Sequence, residues 1–259
     1  MMGNYKIGIF DSGLGGLSIT KELIKQFPNV DFLYVADTKN CPYGTKTKKQ
    51  IENIVSRMVT YLINENVDAI VVACNTASAN SDHLDLLIPV IKMIEPTCID
   101  VVKRTKTKNV LLLATEATLN SKKYNAILDT EKINVFEVSC KELVSLVEKG
   151  KQNTKESFSK VYNIIYPYFG KNIDTVILGC THLGFLKDEL YKSFDGKVEL
   201  ADGINEITQI VKKSKWFETT TDSKAAGSLK LITTGDFDTF KKCVDKLQFR
   251  CNIIKKETI

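Results

Sequence analysis

"VVACNTASAN", residues 71–80, runs from a β-branched apolar stretch into Cys74, Asn75 and Thr76, and "VILGCTHLGF", residues 176–185, runs the same way into Cys180, Thr181 and His182. In each copy an Asp stands six residues before the Cys, at Asp68 and Asp174. A short apolar run without polar alternation reads as a strand covered on both faces, which is the signature of a parallel sheet. Two such strands, each ending on a thiol with polar neighbours, predict two similar halves whose strand ends meet.

Outward from these two stretches the pattern repeats. "KIGIF", "FLYVA", "PVIKMI", "NVLLLA", "INVFEV", "VELA" and "LKLIT" are further strand-sized apolar runs, and "SITKELIKQF" and "KKQIENIVSRMVTYLINEN" carry apolar residues at helical spacing. Strand and helix in alternation give an α/β fold with parallel sheets, whose ligand groups sit at the carboxyl ends of the strands. Polar residues collect at those ends: Asp11 and Ser12 after "KIGIF", Asp37 after "FLYVA", Thr115 after "NVLLLA". The expected architecture is two similar parallel-sheet α/β domains facing each other across a central cleft and related by a pseudo-twofold axis. The unit changes near "IEPTCIDVVKRTKTKN", residues 94–109, where Pro96 and a charge run suggest a linker.

Bulk properties narrow the function. At 259 residues and 43% hydrophobic content the chain fills one large core or two modest ones. No apolar run approaches the roughly 20 residues of a membrane span, and the start "MMGNYKIGIF" lacks a signal-peptide layout, so a cytoplasmic protein without membrane contact is expected. The formal charge of +5 comes from scattered lysines without interleaved aromatics, which argues against a nucleic-acid partner and suits small acidic substrates. Seven cysteines, an odd number with no CxxC pair, suggest neither a disulfide framework nor a zinc ribbon.

A cysteine after four apolar residues is commonly core filling. Cys74 and Cys180 depart from that because each has hydroxyl, amide or imidazole company; Cys41, Cys98, Cys140, Cys243 and Cys251 have none and read as structural. A thiol, with an ordinary pKa near ~8.5, can give or take a proton close to neutrality. Removing a proton from a carbon next to a carboxylate and returning one to the opposite face needs one such group on each side. His182 is placed to orient or deprotonate Cys180, whereas His83, in "SANSDHLDLL", reads as an exposed helical residue. In "DSGLGGLSITKEL", Gly13, Gly15 and Gly16 permit a sharp turn and a helix start that could receive a substrate carboxylate beside Asp11; Ser18 stands where a dinucleotide fingerprint has its third glycine. "CPYGTKTK" reads as a turn, and Thr115 and Thr118 are hydroxyls for substrate or for capping a helix. Other classes compatible with these residues are a thiol hydrolase using Cys180 and His182, a two-lobed amino-acid binding protein, and a metal site on Cys74, Cys180 and His182.

"IGIFDSGLGGLSI", "VADTKNCPYG", "AIVVACNTASA", "IEPT", "ATLNSKKY", "LVEKG", "VILGCTHL" and "TTGDFDTF", in order along most of the chain, resemble the glutamate racemase family within the aspartate/glutamate racemase superfamily. The resemblance implies an isomerase that interconverts L- and D-glutamate without a cofactor or metal, supplying D-glutamate for peptidoglycan, with aspartate or another amino acid as the alternative substrate. It implies Cys180 as the base toward L-glutamate and Cys74 toward D-glutamate, Asp11 supporting Cys74, His182 supporting Cys180, and Glu148 of "LVEKG" assisting near the second cysteine. Ser12, Tyr43, Gly44, Asn75, Thr76 and Thr181 match the family's substrate-binding positions, as do Asp11 and His182, with Thr118 a weaker match. It further implies a homodimer and a discontinuous first domain, 1–97 plus 208–259, around a second, 98–207, the C-terminal "LKLITTGDFDTFKKCVDKLQF" returning as strand and helix. The chain departs from the family at Lys141 and Ser145, where prolines are frequent, and at "LADG", residues 200–203.

Overall fold

The computed structural model describes residues 4–214, 225–246 and 251–259. Its strands are β1 (Lys6–Asp11), β2 (Asp31–Ala36), β3 (Ala69–Val72), β4 (Val90–Lys92), β5 (Asn109–Ala114), β6 (Asn134–Ser139), β7 (Thr175–Gly179), β8 (Glu199–Ala201), β9 (Leu229–Thr233) and β10 (Ile253–Lys256). They form two sheets with every pair parallel, one in the order β10-β9-β2-β1-β3-β4 and one in the order β6-β5-β7-β8. The block β2-β1-β3-β4 and the whole second sheet therefore have the same strand order, which is the internal repeat.

Helices cover both faces of each sheet, so alternate strand residues enter different cores. Ile7, Ile9, Tyr34 and Val71 pack on one side of the first sheet; Phe10, Leu33, Val35 and Val72 pack on the other. Leu111, Leu113, Val176 and Leu178 likewise face away from Val110, Leu112 and Ile177 in the second. In chain order the helices are α1 (Leu17–Gln26), α2 (Lys48–Asn64), α3 (Asn75–Ala79), α4 (Ile94–Arg104), α5 (Glu116–Asn120), α6 (Lys123–Thr130), α7 (Lys141–Glu148), α8 (Lys155–Ile165), α9 (Lys187–Ser193), α10 (Ile204–Lys213) and α11 (Phe237–Lys246). Local chemistry sets several starts: Thr47 and Gln50 form a capping box at α2, and Thr115 caps α5 by accepting from the Thr118 N–H at 3.3 Å.

Two expectations change. Most of the stretch 94–109 is not a linker: residues 94–104 are α4, with Pro96 in the first turn where a missing N–H costs nothing, and Cys98 and Val101 bury against the second sheet. His83 is exposed as expected, but it sits in a turn rather than a helix, its Nε2 2.9 Å from the Ser56 hydroxyl. The returning segment is a strand and a helix, β9 and α11, with β9 beside β2; residues 247–249 of that stretch lie outside the described residues. Helices α4 and α10 span positions 97 and 208, and α10 packs Ile207 and Val211 into the first sheet's core. Among the described residues no helix is long and apolar enough to cross a membrane.

Candidate active site

The carboxyl ends of β1, β3, β5 and β7 converge where the two units meet. β3 delivers Cys74 and, through the first turn of α3, Asn75 and Thr76; β7 delivers Cys180, Thr181 and His182. All six are at least nine-tenths buried.

Around Cys74, Ser12 from the end of β1 places its hydroxyl 3.7 Å from the thiol, and the Ala77 N–H donates toward the sulfur. Burial, reinforced by the nearby Asp11 carboxylate, pushes the Cys74 thiol up to about 12. Asp11 is fully buried, and its Oδ2 accepts the N–H groups of Gly13 and Gly16, each at 3.1 Å. The N–H groups at the start of α1 thus serve the protein's own carboxylate, where the sequence suggested a site for a substrate carboxylate. Burial raises the Asp11 pKa despite these donors and the opposing His182 charge. Tyr34 fixes the same turn by donating to the Gly13 carbonyl at 2.6 Å.

Around Cys180, the sulfur lies 3.6 Å from His182 Nδ1, and His182 Nε2 is bonded to Glu148 Oε1. Burial alone would lower the His182 pKa, but its bonds to Cys180 and Glu148 raise it well above the ordinary value. Glu148, pushed up by burial, ends below its ordinary value because of His182. The arrangement is an imidazolium–carboxylate pair behind a protonated thiol. Cys180 is held well above its ordinary value first by a hydrogen bond with Cys140 and then by burial, with His182 opposing.

Cys140 was expected to be structural, without company; the structure places its buried thiol against Cys180. The repeat explains why. The Cys140 N–H donates to the Ala114 carbonyl at 2.9 Å just as the Asp37 N–H donates to Asp11 at 2.9 Å, so Cys140 ends β6 as Asp37 ends β2. The strand-end reasoning that singled out Cys180 would have found it. Cys41 also lies at the site, its thiol 3.9 Å from Glu148 Oε1.

Bonds across the two units bring the remaining residues together. Thr181 Oγ1 donates to Asp11 Oδ1 at 3.2 Å, and Tyr124 donates to Asn75 Oδ1 at 2.7 Å. Thr76 Oγ1 is 2.8 Å from Thr115 and 3.2 Å from Thr118, which are themselves 3.0 Å apart. Tyr43 is buried with its hydroxyl donating to Asp37 Oδ2 at 2.7 Å, and Gly44 next to it borders the cavity at the site. The close fit depends on glycine: a Cβ on Gly15 would lie 2.2 Å from Thr181 Oγ1, and one on Gly44 2.7 Å from Thr115 Cβ. A cavity of about 390 Å³ opens beside the site, bordered by Gly44, Thr115 and Glu148. Among the described residues no group of three or more His, Cys, Asp or Glu side chains is placed to share a metal ion.

Two parallel-sheet units that bury polar strand ends against each other, next to a cavity of amino-acid size, define a two-domain α/β enzyme acting on a small molecule. Residues 7–211 match the Asp/Glu/hydantoin racemase family. The chain is 33% identical over 251 residues to the glutamate racemase of Lactococcus lactis subsp. cremoris, covering 95% of this chain and 92% of that one. It is 34% identical over 249 residues to the glutamate racemase of Fusobacterium nucleatum, covering 93% of each. Similar solved structures include the glutamate racemase of Thermus thermophilus in complex with β-chloro-D-alanine, at a TM-score of 0.88, 29% identity and coverage of 99% and 98%. Another is the glutamate racemase of Francisella tularensis in complex with D-glutamate, also at a TM-score of 0.88 and 29% identity, with coverage of 99% and 97%. The chain belongs to the Asp/Glu/hydantoin racemase family, and it is an isomerase.

Proposed function

We propose that the protein interconverts L- and D-glutamate by proton transfer at the α-carbon, without a cofactor, and so supplies D-glutamate for peptidoglycan. The observation that carries this reading is the pair of buried thiols, Cys74 and Cys180, at equivalent strand ends of the two units, each with its own polar partner. Cys180 removes the α-proton of L-glutamate while Cys74 protonates the opposite face, and the reverse direction exchanges the roles. In the empty site both thiols are held protonated. The ammonium group of a bound amino acid supplies the positive charge that lets the thiol facing the α-hydrogen lose its proton to solvent, as an opposite charge within a few ångströms favours the charged form. After the transfer the other thiol is left ionised and regains a proton from solvent as product leaves. Asp11 orients and electrostatically supports the Cys74 side, His182 with Glu148 the Cys180 side. Ser12, Asn75, Thr181 and the backbone of Tyr43 and Gly44 hold the α-amino and α-carboxyl groups, and the hydroxyls of Thr76 and Thr118 receive the distal carboxylate. The working unit is a homodimer in the cytoplasm.

The reading is tested by incubating the protein with L-glutamate in D₂O without added cofactor, following optical rotation and the α-proton resonance together. Loss of rotation with deuterium uptake is expected; an unchanged signal for both L-glutamate and L-aspartate overturns it. Because the enantiomers have equal free energy, kcat/KM is the same in both directions. Cys74→Ala and Cys180→Ala each lower both by about 10²–10⁴-fold. Full activity in either variant rules out one base per face.

One observation favours a second reading. Cys180, His182 and Glu148 form a thiol–imidazole–carboxylate chain of the kind that activates a nucleophile. That chemistry needs one cysteine and a covalent acyl intermediate, so a Cys74→Ala variant that keeps activity and yields a trappable thioester would establish it.

A further inference from the structure

Taken as the approach to the site, the cavity beside it is bordered by three side chains that carry formal charge: Glu116 at the start of α5, Lys141 at the start of α7, and Glu148. Glu148 faces the His182 imidazolium, which cancels its charge toward an incoming molecule. Glu116 and Lys141 are both exposed and neither has an ion-pair partner among the described residues. They are the uncompensated charges of the mouth. Without Lys141 the approach would carry one net negative charge toward a substrate that, on the function proposed above, is itself a net anion.

We infer that Lys141 is a steering residue: its ammonium group, on the same mouth as Glu116, draws the acidic amino acid into the cleft without taking part in the proton transfer. The inference rests on that function, because a neutral substrate would be indifferent to the charge. A unit charge about 6 Å from the path in high-dielectric surroundings changes the local concentration of a monovalent anion by about three-fold. An effect of this origin lowers KM and leaves kcat alone, since it acts on bound substrate and transition state alike, so its removal raises KM. It also fades as salt shortens the screening length from about 30 Å at 0.01 M to about 3 Å at 1 M.

The test measures kcat and KM for both enantiomers of glutamate at low and at molar ionic strength in the wild type, Lys141→Gln, Lys141→Glu and Glu116→Gln, with the melting temperature of each as a control on folding. At low salt Lys141→Gln is expected to lower kcat/KM by about three-fold and Lys141→Glu by about ten-fold, through KM. Glu116→Gln should raise it, and all four proteins should converge in high salt. Lys141→Gln that matches the wild type at low salt overturns the inference, as does a loss carried by kcat or one that survives molar salt. A wild type inert toward both enantiomers instead overturns the proposed function, a result visible before any variant is compared.

Discussion

His182 and Glu148 illustrate how a buried residue's charge is decided by what faces it. Alone, the imidazole would be neutral in this setting; paired with Glu148 and the Cys180 thiol it holds its proton well above the ordinary 6.5. A raised histidine stabilises the fold fully below its unfolded value of 6.5, and the gain disappears as pH rises through its folded value. Glu148, lowered from 4.5, contributes above 4.5, and its gain disappears as pH falls through its folded value. Both contributions are therefore complete between pH 4.5 and 6.5. In that window Glu148→Gln should destabilise by about 1–3 kcal/mol, less than for a fully enclosed pair because the Glu148 side chain is 36% exposed. Thermal melts against pH check this, and a penalty that does not shrink at alkaline pH would contradict it. At this scale the sequence was legible where neighbours along the chain carry the meaning, as in Cys180-Thr181-His182. Where the partner arrives from another strand end, as Cys140 does, the signal lay in the strand pattern and not in the neighbours along the chain.

The two Asp–Cys strands are equivalent in scaffold and unlike in chemistry. Asp68 and Asp174, the recurring residues that first marked the repeat, lie at the far ends of β3 and β7 from the thiols. Asp68 accepts the Lys6 N–H at 2.8 Å, and Asp174 accepts the N–H groups of Lys106 at 2.6 Å and Thr107 at 2.7 Å, so each ties the chain entering the neighbouring strand. Asp174→Ala leaves those donors without their acceptor and should cost about 1–3 kcal/mol in denaturant unfolding with kcat unchanged. A fall in kcat at full occupancy would show that β7 transmits strain to Cys180. The alternation of apolar runs and helical spacing was enough to place most strands, because a strand covered on both faces leaves a continuous apolar signature. β10, "IIKK", carries too few apolar residues for that, and α4 was hidden by Pro96 and its surrounding charges.

For the molecule as a whole, the architecture follows from pairing two copies of a four-stranded unit at their polar ends, with β9 and β10 returning to widen the first sheet. The match of the units is what makes a site, and it relies on Gly15 meeting Thr181 without a side chain. Gly15→Ala should hold the units apart while leaving each core intact: kcat/KM falls by about 10²-fold, as expected when reacting groups are displaced by an ångström, and the melting temperature changes little. Solution scattering would register the opening, and wild-type activity in a closed molecule would refute it. Such a long-range fit is not written in local periodicity, which is why the sequence suggested a cleft but not how completely it closes. The bond from Thr181 to Asp11 joins the Cys180 side of the site to the Cys74 side. On the reaction proposed above, both thiols are protonated again once product has left, so every turnover starts from the same state and the released protein keeps no record of the enantiomer it last made.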